Sequence, residues 1–111
     1  MAEPLDPDHP VASRLDPDES VLANIAIAAA KVVVTNRRLA VAEGQRLALD
    51  IEMASLRRIQ FDIERNRPAT LVIVPDDPLH EPQVLAVPHE QLPAVAKALA
   101  YIGQRINAEA V

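Results

Sequence analysis

Val32, Val33 and Val34 stand in an unbroken row. Three β-branched residues in succession lose side-chain freedom in a helix and pack well on a pleated surface, so Lys31-Val-Val-Val-Thr35 reads as a strand. Asn36-Arg37 offers a two-residue reversal, since Asn tolerates the left-handed conformation that tight hairpins require, although Arg is a poorer second residue than Gly. Arg38-Leu-Ala-Val-Ala42 then returns antiparallel. Glu43 to Arg46 makes the next turn around Gly44, one of only two glycines in the chain.

This hairpin sets the pattern for what surrounds it. Val21 to Ala28 reads as a preceding strand, although its alanines would also suit a helix. After Gly44, Leu47, Leu49 and Ile51 alternate with Ala48, Asp50 and Glu52, a period of two that puts the apolar residues on one face. A break near Ala54-Ser55 separates this strand from the next, where Ile59, Phe61 and Ile63 alternate with polar neighbours. Arg65-Asn-Arg-Pro68 is a turn, Ala69 to Val74 a sixth strand ended by Pro75, and Gln83 to Val87 a short seventh between prolines. Leu92, Val95, Leu99, Ile102 and Ile106 then recur at spacings of three and four, with Ala96 and Gly103 on the same side. That spacing describes an amphipathic helix, with Pro93 in its first turn, where a missing N–H costs little. The expected class is mainly β with one C-terminal α-helix.

At 111 residues the chain has room for one domain with one core. Phe61 and Tyr101 are the only aromatics, so that core is aliphatic. With no cysteine, neither a disulfide framework nor a thiolate metal site can form. Pro4, Pro7 and Pro10 among acidic residues make 1 to 12 a flexible lead-in, and residues 13 to 108 form the domain. The N-terminus has neither the basic nor the apolar region of a secretory signal. The longest apolar run, Ile25 to Ala30, falls far short of the roughly 20 residues that span a bilayer. The expectation is a soluble, cytoplasmic protein without a transmembrane segment. A net charge of −5 opposes broad attraction to nucleic acid or to an anionic membrane surface.

Two stretches carry a family likeness. Leu15-Asp-Pro-Asp-Glu-Ser-Val-Leu22 resembles the approach to the first strand of bacterial pleckstrin-homology-like (PH-like) and GRAM-like domains. Val32-Val-Val-Thr-Asn-Arg-Arg-Leu39 resembles their hydrophobic-Thr-Asn/Asp-x-Arg-Leu hairpin, and Leu47 to Ile59 follows their run toward the fourth and fifth strands. The likeness covers about residues 15 to 107. It implies a seven-stranded antiparallel barrel capped by the amphipathic helix, working as a binding, scaffolding or self-associating module with no family catalytic residues to carry over. The chain departs from eukaryotic PH domains in lacking both a Trp in the helix and a dense basic cluster in the early strands.

Little else in the sequence points to chemistry. His9, His80 and His89 lie in or beside proline-rich loops, as solvated histidines commonly do, and their spacing to acidic residues matches no metal motif. Ser13, Ser20 and Ser55 have no nucleophile context, and neither glycine belongs to a phosphate-binding loop. No catalytic residue, metal or cofactor is therefore expected. The arginines are read first as strand-flanking charges that keep edges soluble and pair with Asp50, Asp62 and Glu64. Their alternative use is a basic face, in which Arg37, Arg46, Arg65 and Arg67 at turns would contact a lipid or anionic ligand. The leading expectation is a non-enzymatic protein-interaction or oligomerisation module, with a homo-oligomer or an unidentified protein as partner. Contact is expected through the early strands or the helix flank, where Ala94, Ala98 and Ala100 are small.

Overall fold

The computed structural model describes residues 9–27 and 29–110, with side chains to residue 104. Seven strands and one long helix follow in order: β1 (Val21–Ile27), β2 (Ala30–Thr35), β3 (Arg38–Glu43), β4 (Arg46–Glu52), β5 (Leu56–Asp62), β6 (Ala69–Pro75), β7 (Gln83–Val87) and α1 (Leu92–Ala110). β1 to β4 form one antiparallel sheet in sequential order, and β5 to β7 a second. A single 3₁₀ turn, Met53–Ser55, carries the chain from one sheet to the other at the expected break. No described helix is long and apolar enough to cross a membrane.

The inner faces of both sheets and one side of α1 enclose an aliphatic core that includes Ile27, Val34, Leu39, Ile73 and Ile102. The void inside it measures about 10 Å³ and has purely aliphatic walls. That is at most the room one water needs, far below the roughly 300 Å³ at which small-molecule pockets begin.

Period-two alternation explains why all three consecutive valines are buried. Val32 and Val34 point into this core, whereas Val33 points to the opposite face and packs with Val11, Val21 and Ala40. The first sheet is thus covered on both sides, its outer side by the segment that runs through His9, Val11 and Leu15. His9 is only 6% exposed and Val11 not at all. Residues 1–8 lie outside the described residues, but the end of the expected lead-in, from His9 onward, is packed against the sheet. A short 3₁₀ turn at Ala12–Arg14 lies within this cover, between Val11 and Leu15.

Several side chains depart from the expected pattern. Leu47 was placed with Leu49 and Ile51, yet it packs with Val11 and Val33 on the outer face. The cause is a register shift: Val41 pairs with Leu49, whereas Ala42 pairs with Leu47, and the extra residue turns Leu47 over. Ile63 falls one residue past the end of β5 and is 63% exposed. In α1 the buried line is Val95, Ala98 and Ile102, with Leu99 half-buried at its side. Ala96 faces solvent instead of the core, and Ala98 belongs to the core instead of the outer flank.

Candidate interaction surface

The loop before β1 and the β2–β3 hairpin hold each other through charge. Glu19 accepts two hydrogen bonds from Arg38, from Nε at 2.8 Å and from Nη2 at 3.0 Å. The Thr35 hydroxyl donates to the same carboxylate and itself accepts from the backbone N–H groups of Arg37 and Arg38, at 3.0 and 2.9 Å. This one hydroxyl closes the turn and ties it to Glu19. Arg38 Nη1 also reaches both oxygens of Asp50 at 3.2 Å, and Arg14 Nε donates to Asp50 from 3.2 Å. Asn36 adds a reciprocal pair with the Ser20 backbone, at 2.8 and 3.1 Å.

The Glu19 side chain has no solvent exposure and that of Arg38 only 17%. Burial by itself would push the Glu19 carboxyl up, but hydrogen bonds from Arg38, Thr35 and the Asp16 backbone outweigh it. The carboxyl is held below its ordinary value of 4.5. Hydrogen bonding to Glu19 correspondingly raises the Arg38 guanidinium, with Asp50 adding to the effect. Both groups stay charged at neutral pH.

The four turn arginines lie in three different turns, between β2 and β3, between β3 and β4, and between β5 and β6. Arg37 and Arg46 flank opposite ends of β3. Arg37 is engaged by Asp16 at 3.0 Å and Asp18 at 2.6 Å, Arg46 lies 3.7 Å from Glu43, and Arg67 lies 3.8 Å from Glu64. Arg65 is exposed in the β5–β6 turn. Beside it, Asn66, Arg67, His89 and Glu90 line a shallow open depression, where His89 Nε2–H donates to the Arg67 carbonyl at 2.6 Å. Among the described residues no group of three or more His, Asp or Glu could hold a metal ion.

Apolar surface is left open elsewhere. On the second sheet, register and alternation place Gln60, Val72 and Val84 in one outward row, with Arg58 beside Val74 on one side of it and Asp62, Thr70 and Ala86 on the other. Val72 and Val74 are half-buried, Ala86 is exposed, and Val84 is 66% exposed. α1 packs on the opposite side of the molecule's strands, against β1, β2 and the Met53–Ser55 turn. Inward of this surface, Leu71, Ile73 and Val87 belong to the core. Of the early strands, the three valines of β2 are closed off, Val32, Val33 and Val34 each being at most 3% exposed, whereas Asn24 and Ala26 of the edge strand β1 are exposed.

Sequence reasoning had both halves of the Glu19–Arg38 arrangement in view, as the two family-like stretches, without joining them. The available signal was charge: three acids in Asp16-Pro-Asp-Glu19 match the adjacent cations Arg37-Arg38. The outward row of β6 and β7 was masked by the continuous apolar run of β6, which shows no alternation. Compared with family models, with curated proteins and with solved structures, the chain matches none.

Proposed function

We propose that the chain is a non-catalytic protein-interaction module of PH-like type, with its seven strands and helix arranged as a capped barrel, acting in the cytoplasm. Its partner docks on the outer face of the second sheet. The observation that carries this reading is Val84: a valine 66% exposed on a regular strand, in one row with Val72 on the outward face of the second sheet. Exposed apolar residues gathered on one face mark contact sites, whereas scattered ones need no explanation. The other side of the molecule supports the same choice, since the first sheet has its own cover in residues 9 to 15, and Arg37 and Arg38 are engaged by Asp16, Asp18 and Glu19 in the loop that follows it.

Binding of a lipid or anionic ligand through the arginine turns is the weaker alternative, because Arg37 is occupied by two aspartates and Arg46 stands at the other end of β3. A photo-crosslinking amino acid placed at position 84 tests the proposal in living cells. Protein adducts should form from position 84 and not from position 97 on the exposed side of α1. Adducts from position 97 alone, or none from either, would overturn it.

A further inference from the structure

The outward face of β5 has a polarity that its apolar neighbours lack. Arg58, Gln60 and Asp62 alternate with inward residues and so stand in line on the same face, a cation at one end, an amide in the middle and an anion at the other. The Gln60 side-chain amide donates to Asp62 at 2.9 Å, which confirms that these two share the face. The row through Gln60, Val72 and Val84 runs across the sheet midway between the two charges.

A two-fold axis laid along that row produces a specific set of contacts. It turns the face onto itself with strand directions reversed, so that β5 of one copy crosses β5 of the other. Arg58 of each copy then faces Asp62 of its mate, twice over, while Val72 and Val84 meet their own equivalents on the axis. Val74 meets the Thr70 side of the opposite face. Isologous interfaces require this property of a patch, that it be complementary to itself under a half-turn. A face with one sign of charge at both ends would repel its copy instead.

We propose that the partner of this face is a second copy of the same chain, packed sheet on sheet with Arg58 paired to the mate's Asp62. The proposal rests on the reading of the outer face as the docking surface and names its occupant. Three strands spaced about 4.8 Å apart make a narrow face. It falls short of the roughly 800 Å² per partner of a standard stable interface, so the dimer is weak and exchanges rapidly.

Sedimentation equilibrium of the full chain up to about 1 mM, the concentration range of weak association, reads the mass directly. The wild type should rise from 12.1 kDa toward twice that value. Arg58→Asp and Asp62→Arg each set like charges opposite one another at both ends, and each should weaken self-association by about tenfold or more. Both sites are exposed, and unchanged circular dichroism and melting should show that the variants are folded. The deciding measurement mixes them: Arg58→Asp with Asp62→Arg restores opposite charges at both ends, so the mixed pair should associate more tightly than either variant alone. A wild type that stays at one chain throughout overturns self-pairing, and so does a mixture no tighter than its components. If position 84 still yields adducts with a different protein, the docking face stands and only its occupant is wrong. A wild-type dimer that is insensitive to Val84→Glu and gives no adducts from position 84 would overturn the face and the proposed pairing together.

Discussion

Between the Glu19 carboxylate and the Arg38 guanidinium lie two hydrogen bonds, with a threonine hydroxyl on the side that water would otherwise occupy. A charge without exposure depends on its partners, because removing one leaves the other buried and uncompensated. Arg38→Met is expected to cost about 3 kcal/mol in urea unfolding, the usual scale for breaking a buried pair. Arg37→Ala should cost less than about 1 kcal/mol, since its pairs with Asp16 and Asp18 are solvated. The Glu19 carboxyl is held below 4.5 in the folded state, so its contribution is complete above that value and is lost as pH falls through the depressed one. Glu19→Gln should therefore be less stable than wild type at pH 7, and its stability should fall less between pH 5 and pH 3. At this scale the sequence was partly legible. Thr35, Asn36 and Arg38 stood out within a recognisable hairpin, whereas Glu19 looked like any acid in a solvated loop because its partner is 19 residues away. His9 was misjudged for a related reason. Its surroundings are polar and proline-rich in sequence, yet its Nδ1 accepts the Val11 N–H at 3.1 Å under the cover it helps to form.

Among the elements, α1 presents the most exacting requirement. Val95, Ala98 and Ile102 form its buried line, and the sheets have no other described element over that side of the core. Ile102→Ala should cost about 2 to 5 kcal/mol, as large-to-small changes at closed sites do. A chain ending at Gln91 should lose cooperative thermal unfolding altogether, and an unchanged midpoint would refute the role given to the helix. In the β3–β4 turn, Gly44 has a φ of +59° with nothing within 4 Å of where a Cβ would stand. Gly44→Ala should cost about 1 kcal/mol from backbone conformation alone, because no neighbour is touched. All seven strands were legible, some from period-two alternation and others, such as β2 and β6, from β-branched runs bounded by turn residues, since strand geometry is written locally. Leu47 and Ala98 were not. A bulge is a pairing event between two strands, and an alanine's small size hides which side of a helix it faces.

Over the whole molecule, the two sheets are clothed unequally, and that inequality carries the functional reading. Removal of residues 1 to 15 should expose Val33, Ala40 and Leu47, seen as increased binding of a hydrophobic dye and a lower melting midpoint. Val84→Glu, on the open side, should leave the midpoint within about 0.5 kcal/mol of wild type, as surface changes usually do. No part of this asymmetry could be read from composition, because the valines of β2 and of β6 look alike in sequence and differ only in whether the chain folds back over them. The order of the ladders has a consequence for how the protein is made. Within each sheet every ladder joins strands adjacent in sequence, and no ladder joins an early strand to a late one. Each closure therefore spans a short loop, which costs little entropy and favours rapid folding. On the ribosome, the first four strands and their N-terminal cover are synthesised, and emerge, ahead of the second sheet. They can pair as a meander at once, and α1, which follows all seven strands in the chain, closes a core whose walls are already standing.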